Sequence, residues 1–112
     1  MRSSMSQDNQ FSVEWSKTAL RTLFGFNKID HDSVYRLSQN LLSKEPFAQA
    51  DKVADYENYR YNGYCLKMIR NVVIVYTVNV NTKNVLIRAC HHGGTGEAAQ
   101  ILYGIKPPFN NY

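Results

Sequence analysis

The stretch YCLKMIRNVVIVYTVNVNTKNVLIRACHHGG, Tyr64 to Gly94, decides the fold. Three runs rich in β-branched and aromatic residues, YCLKMI, VVIVYTVNV and VLIRACHH, are separated by RN and NTKN, both turn-forming, which predicts three consecutive antiparallel strands. A four-residue loop of Asn81 to Asn84 sets Val80 opposite Val85, Thr77 opposite Arg88, Val75 opposite Cys90 and Val73 opposite His92. A three-residue loop of Ile69, Arg70 and Asn71 then puts Leu66 and Met68 on the core face and Lys67 outside, opposite Val73. A two-residue loop would carry Lys67 into the core, against the cost of burying a charge. The expected outer face therefore holds a row of Lys67, Val73 and His92, with Arg88 farther back on the last strand and Arg70 at the loop. Val72, Ile74, Tyr76, Val78, Ile87 and Ala89 form the face that carries helices, and His91 packs at its rim.

Working outward from this meander, FSVEW alternates Phe11, Val13 and Trp15 against Ser12 and Glu14, as a half-buried strand does. Ser16 caps a helix from Lys17 with Ala19, Leu20, Leu23 and Phe24 as its apolar stripe, ended or weakened by Gly25. Asp30 caps a second helix on Val34, Leu37 and Leu41, which Pro46 terminates. The segment from Phe47 to Gly63, with tyrosines at 56, 59 and 61, reads as a weak strand. Gly93 and Gly94 break the last strand, and a short helix from Thr95 runs to Gly104, ahead of Pro107 and Pro108. The expected class is α+β: an antiparallel sheet of about four strands, an N-terminal helical hairpin on one face and a short C-terminal helix. Residues 1–10 read as a disordered tail and 11–112 as one domain.

The 112 residues, 44% hydrophobic, suit a single core. No apolar run approaches the roughly 20 residues that span a bilayer, and the polar start MRSSMSQDNQ has no signal-peptide core, so a cytoplasmic protein without membrane partners is expected. A net charge of +4 favours an anionic partner, nucleic acid or acidic protein. Cys65 and Cys90 fit neither a disulfide scaffold nor a zinc motif. They are expected on the outer face, two strand spacings of about 4.8 Å apart, as free thiols. Adjacent histidines on a strand point to opposite faces, which argues against one chelated ion, and GGTG lacks the following Lys and Ser/Thr of a phosphate loop, so neither metal nor cofactor is expected. Tyr56, Tyr59, Tyr61 and Tyr64 suit a core edge better than base stacking.

FSVEWSKTALRTL, the helical hairpin, KMIRNVVIVYTVN, VLIRACHHGG and the terminal EAAQILYG together resemble the RelE/ParE superfamily of bacterial type II toxins, over Phe11 to Tyr103. The resemblance implies an antiparallel sheet with two helices on one face and an open basic face. RelE-like members cut mRNA on the ribosome; ParE-like members inhibit DNA gyrase; both are held by a cognate antitoxin. Carried over by position, Lys67 matches a basic residue of the family's third strand and His92 the basic or His position ending the last. The chain departs from the pattern at Val73, where many RNA-cleaving relatives carry Arg, and in lacking a Tyr soon after the last strand, Tyr103 being the nearest. Metal-independent RNA cleavage needs a group to take the 2′-hydroxyl proton, cations for the charged phosphorane and an acid for the leaving oxygen. On this reading His92, Lys67 and Arg88 carry the chemistry, while Arg70, Lys67 and Arg88 bind RNA. The first expectation is a ribosome-dependent mRNA endonuclease that inhibits translation. A ParE-like gyrase inhibitor and a noncatalytic antitoxin-binding member stay open.

Overall fold

The computed structural model describes residues 10–93. The expected tail, apart from Gln10, and the expected helix from Thr95 with Tyr103 lie outside the described residues. Within them the order is β1 (Ser12–Trp15), α1 (Lys17–Gly25), α2 (His31–Leu42), β2 (Lys52–Val53), β3 (Cys65–Ile69), β4 (Val72–Asn79) and β5 (Asn84–His92). Both helix starts follow the sequence reading. The Ser16 hydroxyl accepts the Ala19 N–H at 3.1 Å, and Asp30 accepts the Ser33 N–H at 3.2 Å and the Ser33 hydroxyl at 2.7 Å. These bonds satisfy amides that the first helical turn leaves without a partner. The Ser33 contacts hold the Asp30 carboxyl below its ordinary range.

The sheet is five-stranded and mixed, in the order β1-β5-β4-β3-β2. This corrects the expected all-antiparallel sheet of about four strands: β1 runs parallel to β5, Val13 facing Val85 and Trp15 facing Ile87. The helical hairpin between β1 and the meander supplies the length that a parallel connection requires. The weak strand shrinks to β2, two residues paired with Leu66 and Cys65. Among the described residues no helix is long and apolar enough to cross a membrane.

The expected helix-bearing face is correct along β4. Val72, Ile74, Tyr76 and Val78, with Val85 and Ile87, pack under Ala19, Leu23, Val34 and Leu42. Tyr76, fully buried, donates its hydroxyl to the Pro46 carbonyl at 2.6 Å, and burial pushes its pKa well up. Trp15 donates to Ser38 at 3.0 Å, tying β1 to α2.

The opposite face is not open. Leu66, Val73 and Val75 are fully buried there beneath Tyr56, Tyr59, Tyr61 and Tyr64. The covering segment is closed by Ala54 N–H to Tyr64 O and Gly63 N–H to Ala54 O, both 2.9 Å. Asn62 clamps it from within, accepting from the Tyr56 N–H at 2.8 Å and donating to the Tyr56 carbonyl at 2.6 Å. The tyrosines thus take the core-edge role, and the sheet is apolar on both sides.

Candidate functional site

Two local features rearrange the expected outer row. The first is the β3–β4 turn, which has two residues, Arg70 at φ 47° and Asn71 at φ 69°. Both are left-handed, the hairpin geometry that matches strand twist. Ile69 therefore pairs with Val72, Met68 with Val73 and Lys67 with Ile74. Lys67 lies on the helix-side face, contrary to expectation. Its ammonium is 3.5 Å from the Asp51 carboxylate and its side chain keeps 20% exposure, which offsets the burial cost invoked against this arrangement. Asp51 also accepts the Met68 N–H at 2.7 Å.

The second feature is a β-bulge. Tyr76 pairs with Ile87 and Val75 with Ala89, leaving Arg88 as an extra residue in β5. Alternation slips by one beyond it. Ala89 and His91 turn to the tyrosine-covered face, and Cys90 and His92 to the helix side. His91 now stands opposite Val73, and His92 opposite Val72. The row Lys67, Val73, His92 is not formed; the outer row is Met68, Val73, His91. His92 meets the edge of the Phe26 ring, centroids 5.3 Å apart, while His91 Nε2 lies 3.3 Å from the Tyr59 hydroxyl. The two histidines do point to opposite faces, with the faces expected of them exchanged.

The same slip moves the cysteines. Cys65 and Cys90, both free and buried, sit in the helix-side core instead of on the outer face. Burial pushes the Cys90 thiol up to about 12 and raises that of Cys65. Gly93 follows His92 and donates its N–H to the Asn71 carbonyl at 2.6 Å. A Cβ there would stand 2.7 Å from both Asn71 oxygens, so the close return of β5 to the turn demands glycine.

These shifts open a cleft of about 520 Å³ along β5 beyond the end of β1. Thr18 and Thr22 of α1 form one wall, Asn58 to Tyr61 the other, and Arg88 to His91 the floor. It continues past Ser16 and Leu86, sharing Thr18, Arg60, Tyr61 and Arg88. Ser16 fixes the junction, its N–H bonding the Ile87 carbonyl at 2.9 Å and its hydroxyl donating to the Arg88 carbonyl at 3.4 Å. Arg88 and Arg60 are exposed; the guanidinium of Arg88 lies 6.0 Å from the Tyr64 ring centre and that of Arg60 lies 5.5 Å from the Tyr61 ring centre. Among the described residues, no Asp or Glu lines either part.

Of the expected site residues, Arg88 is in this cleft. Lys67 and His92 are on the helix side, and Arg70 is exposed at its turn. Tyr59, Arg60, Tyr61 and His91 join Arg88 instead. The cleft can offer an imidazole, two phenols and two guanidiniums to a bound anion.

No family model and no curated protein matches the chain. Among solved structures, a chain of the toxin–antitoxin complex RelBE2 from Mycobacterium tuberculosis is similar at TM-score 0.58 and 19% identity, over 74% of this chain and 91% of that one. A chain of the archaeal RelE–RelB complex from Pyrococcus horikoshii OT3 is similar at TM-score 0.54 and 18% identity, over 76% and 97%. The fold is that of RelE toxins, as the sequence resemblance implied.

Proposed function

We propose that this protein is the toxin of a toxin–antitoxin pair and cleaves mRNA on the translating ribosome, in the cytoplasm, with His91 as its proton-transfer group. The toxin reading is supported by the shared fold, since both similar structures are of toxin–antitoxin complexes. A cognate antitoxin is the first partner, ribosome-bound mRNA the second. The observation that carries the chemistry is the cleft in which His91, Tyr59, Arg60 and Arg88 converge.

In that cleft, the guanidiniums of Arg60 and Arg88 bind the scissile phosphate and offset charge as the 2′-oxygen attacks phosphorus. His91 takes the 2′-hydroxyl proton or returns one to the departing 5′-oxygen, a task suited to an imidazole, whose two ring nitrogens can accept and donate a proton. The Tyr59 hydroxyl both donates and accepts, so it orients the ring in either tautomer. This assignment replaces His92 with His91 and withdraws Lys67, which Asp51 engages. Arg88 keeps its expected role.

Gyrase inhibition is the competing reading, favoured by the burial of Val73 and the pairing of Lys67, which leave this face with fewer cations than the resemblance implied. One comparison separates them. The wild type and His91→Ala are induced in cells, and mRNA ends on ribosomes and gyrase-dependent DNA breaks are mapped. Cleaved mRNA that disappears with His91→Ala is expected. Growth arrest with intact mRNA and broken DNA would replace the ribonuclease reading with the gyrase one.

A further inference from the structure

We propose that Asn62 and Gly63 form a modification site, where spontaneous deamidation is held off while the tyrosine segment is closed and, once it occurs, unlocks that wall of the cleft irreversibly. The site stands apart from whatever the cleft binds. Asn62 and Gly63 are the sequence's only Asn-Gly pair. A glycine next in the chain leaves its nitrogen unshielded by a side chain, so attack on the Asn amide meets the least hindrance there. The fold holds that glycine in place: Gly63 sits at φ 89°, left-handed backbone that other residues adopt only under strain. Asn62 is exposed to the water that the reaction consumes. The turn that closes the tyrosine segment is therefore built on the pair of residues most prone to this chemistry.

The reaction balances with water alone. The Gly63 nitrogen gives up its proton and attacks Asn62 Cγ; the Cγ–Nδ2 bond breaks, and the amide nitrogen takes up a proton and leaves as ammonia, closing a succinimide. Water then opens the ring. Breaking the new Cγ–N bond gives aspartate, and breaking the original peptide bond gives isoaspartate, its main chain running through the former side chain. In the closed segment both reacting groups are engaged. The Gly63 N–H donates to the Ala54 carbonyl at 2.9 Å, while Asn62 Oδ1 accepts the Tyr56 N–H at 2.8 Å and Nδ2 donates to the Tyr56 carbonyl at 2.6 Å. The proton that must leave and the rotation that must occur are both resisted, so the reaction runs through the opened segment. Either product spoils the clamp. A carboxylate has no hydrogen for the Tyr56 carbonyl and meets it as a second acceptor. Isoaspartate lengthens the turn by one carbon and displaces the Gly63 bond. Tyr59 lies within the loop that the clamp closes, so its contact with His91 loosens too.

The test incubates the full chain, folded and in urea, in the same mildly alkaline buffer. Mass spectrometry of the tryptic peptide 61–67 follows Asn62, and a methyltransferase specific for isoaspartate scores that product. The unfolded chain is expected to react roughly tenfold faster or more, because it lacks the clamp. From long incubations of the folded protein, the deamidated fraction is separated by its extra negative charge and treated with trypsin. Cleavage after the exposed Arg60 should be about tenfold faster than in fresh protein, as one lost hydrogen bond raises the open population. Asn62→Ser, which cannot deamidate at this position, is incubated alongside and should gain no sensitivity with time. Equal rates in the folded and unfolded chain, or no reaction in either, would overturn the site. So would a deamidated fraction as resistant as fresh protein, or a matching gain in Asn62→Ser.

Discussion

The Tyr59 hydroxyl and the His91 ring meet across the outer face of the sheet, 3.3 Å apart although 32 positions separate them in the chain. The contact joins the tyrosine segment to β5 where the cleft is deepest in functional groups. Neither residue is brought there by its own neighbours in sequence. The Asn62 clamp shapes one side and the Arg88 bulge turns the other.

His91→Ala is expected to lower ribosome-dependent cleavage by about 100-fold or more, the usual loss for a proton-transfer group, with a smaller change in melting temperature. His92→Ala should keep cleavage within a few-fold and lose about 1 kcal/mol of stability through its Phe26 contact. Paired cleavage and unfolding measurements read both. The opposite ranking would return the chemistry to the helix side.

Arg88→Ala is expected to weaken RNA binding and to flatten its dependence on salt by about one unit of slope, as the loss of one phosphate contact does. Lys67→Ala should leave that slope unchanged, because the lysine is engaged with Asp51 away from the cleft. Anisotropy titrations between low and physiological salt make the comparison.

Gly93→Ala is expected to destabilise the domain by about 1–3 kcal/mol, since its methyl would stand 2.7 Å from two Asn71 oxygens and the backbone carbonyl cannot move aside without opening the β3–β4 turn. Urea unfolding measures it. Gly25→Ala is the control, with nothing within 4 Å of its added carbon.

Cys90 should make stability fall in alkali. Its thiol has an ordinary value of 9.0 and is held neutral in the fold up to about 12, so above pH 9 the unfolded chain releases a proton that the native state keeps. The stabilisation is complete below pH 9 and is lost as pH rises toward 12. Denaturation curves of Cys90→Ala against the wild type across that window should converge at the alkaline end relative to neutral pH; parallel curves would contradict the burial of the thiol.

The starts of α1 and α2 were readable because their signals are local: Ser16 and Asp30 act within one turn of chain. The faces of β4 were readable too, since its alternation is unbroken from Val72 to Val78. Register was harder. The Asn79 side chain accepts the Asn81 and Thr82 N–H groups at 3.0 and 3.1 Å, which starts the loop one residue earlier than expected and leaves Val80 outside β4, 54% exposed. At the preceding turn, the Arg-Asn pair carried a two-residue hairpin signal that the cost of burying Lys67 outweighed, because its partner Asp51 lies in a segment with weak sequence patterning. The bulge left no mark at all: Ile87, Arg88, Ala89 and Cys90 alternate as any strand does, and the extra residue exists only in the pairing with β4. The site inherited that blindness, since one slipped residue decides which histidine reaches the cleft.

Because the sheet is apolar on both sides, it acts as a partition between two separate cores, a larger one under the helices and a smaller one under the tyrosines. The floor of the cleft is β5, anchored in the larger core, whereas one wall is the tyrosine segment, which belongs to the smaller. Few backbone hydrogen bonds tie that wall to the sheet, and much of it faces solvent, the combination that lowers the free energy of local opening. The wall is therefore expected to open at a lower free energy than the floor, which hydrogen exchange would read as weaker protection of the tyrosine segment than of β5. A ligand that grips both would stitch them together, so occupancy of the cleft would add rigidity to a region the empty domain leaves comparatively loose.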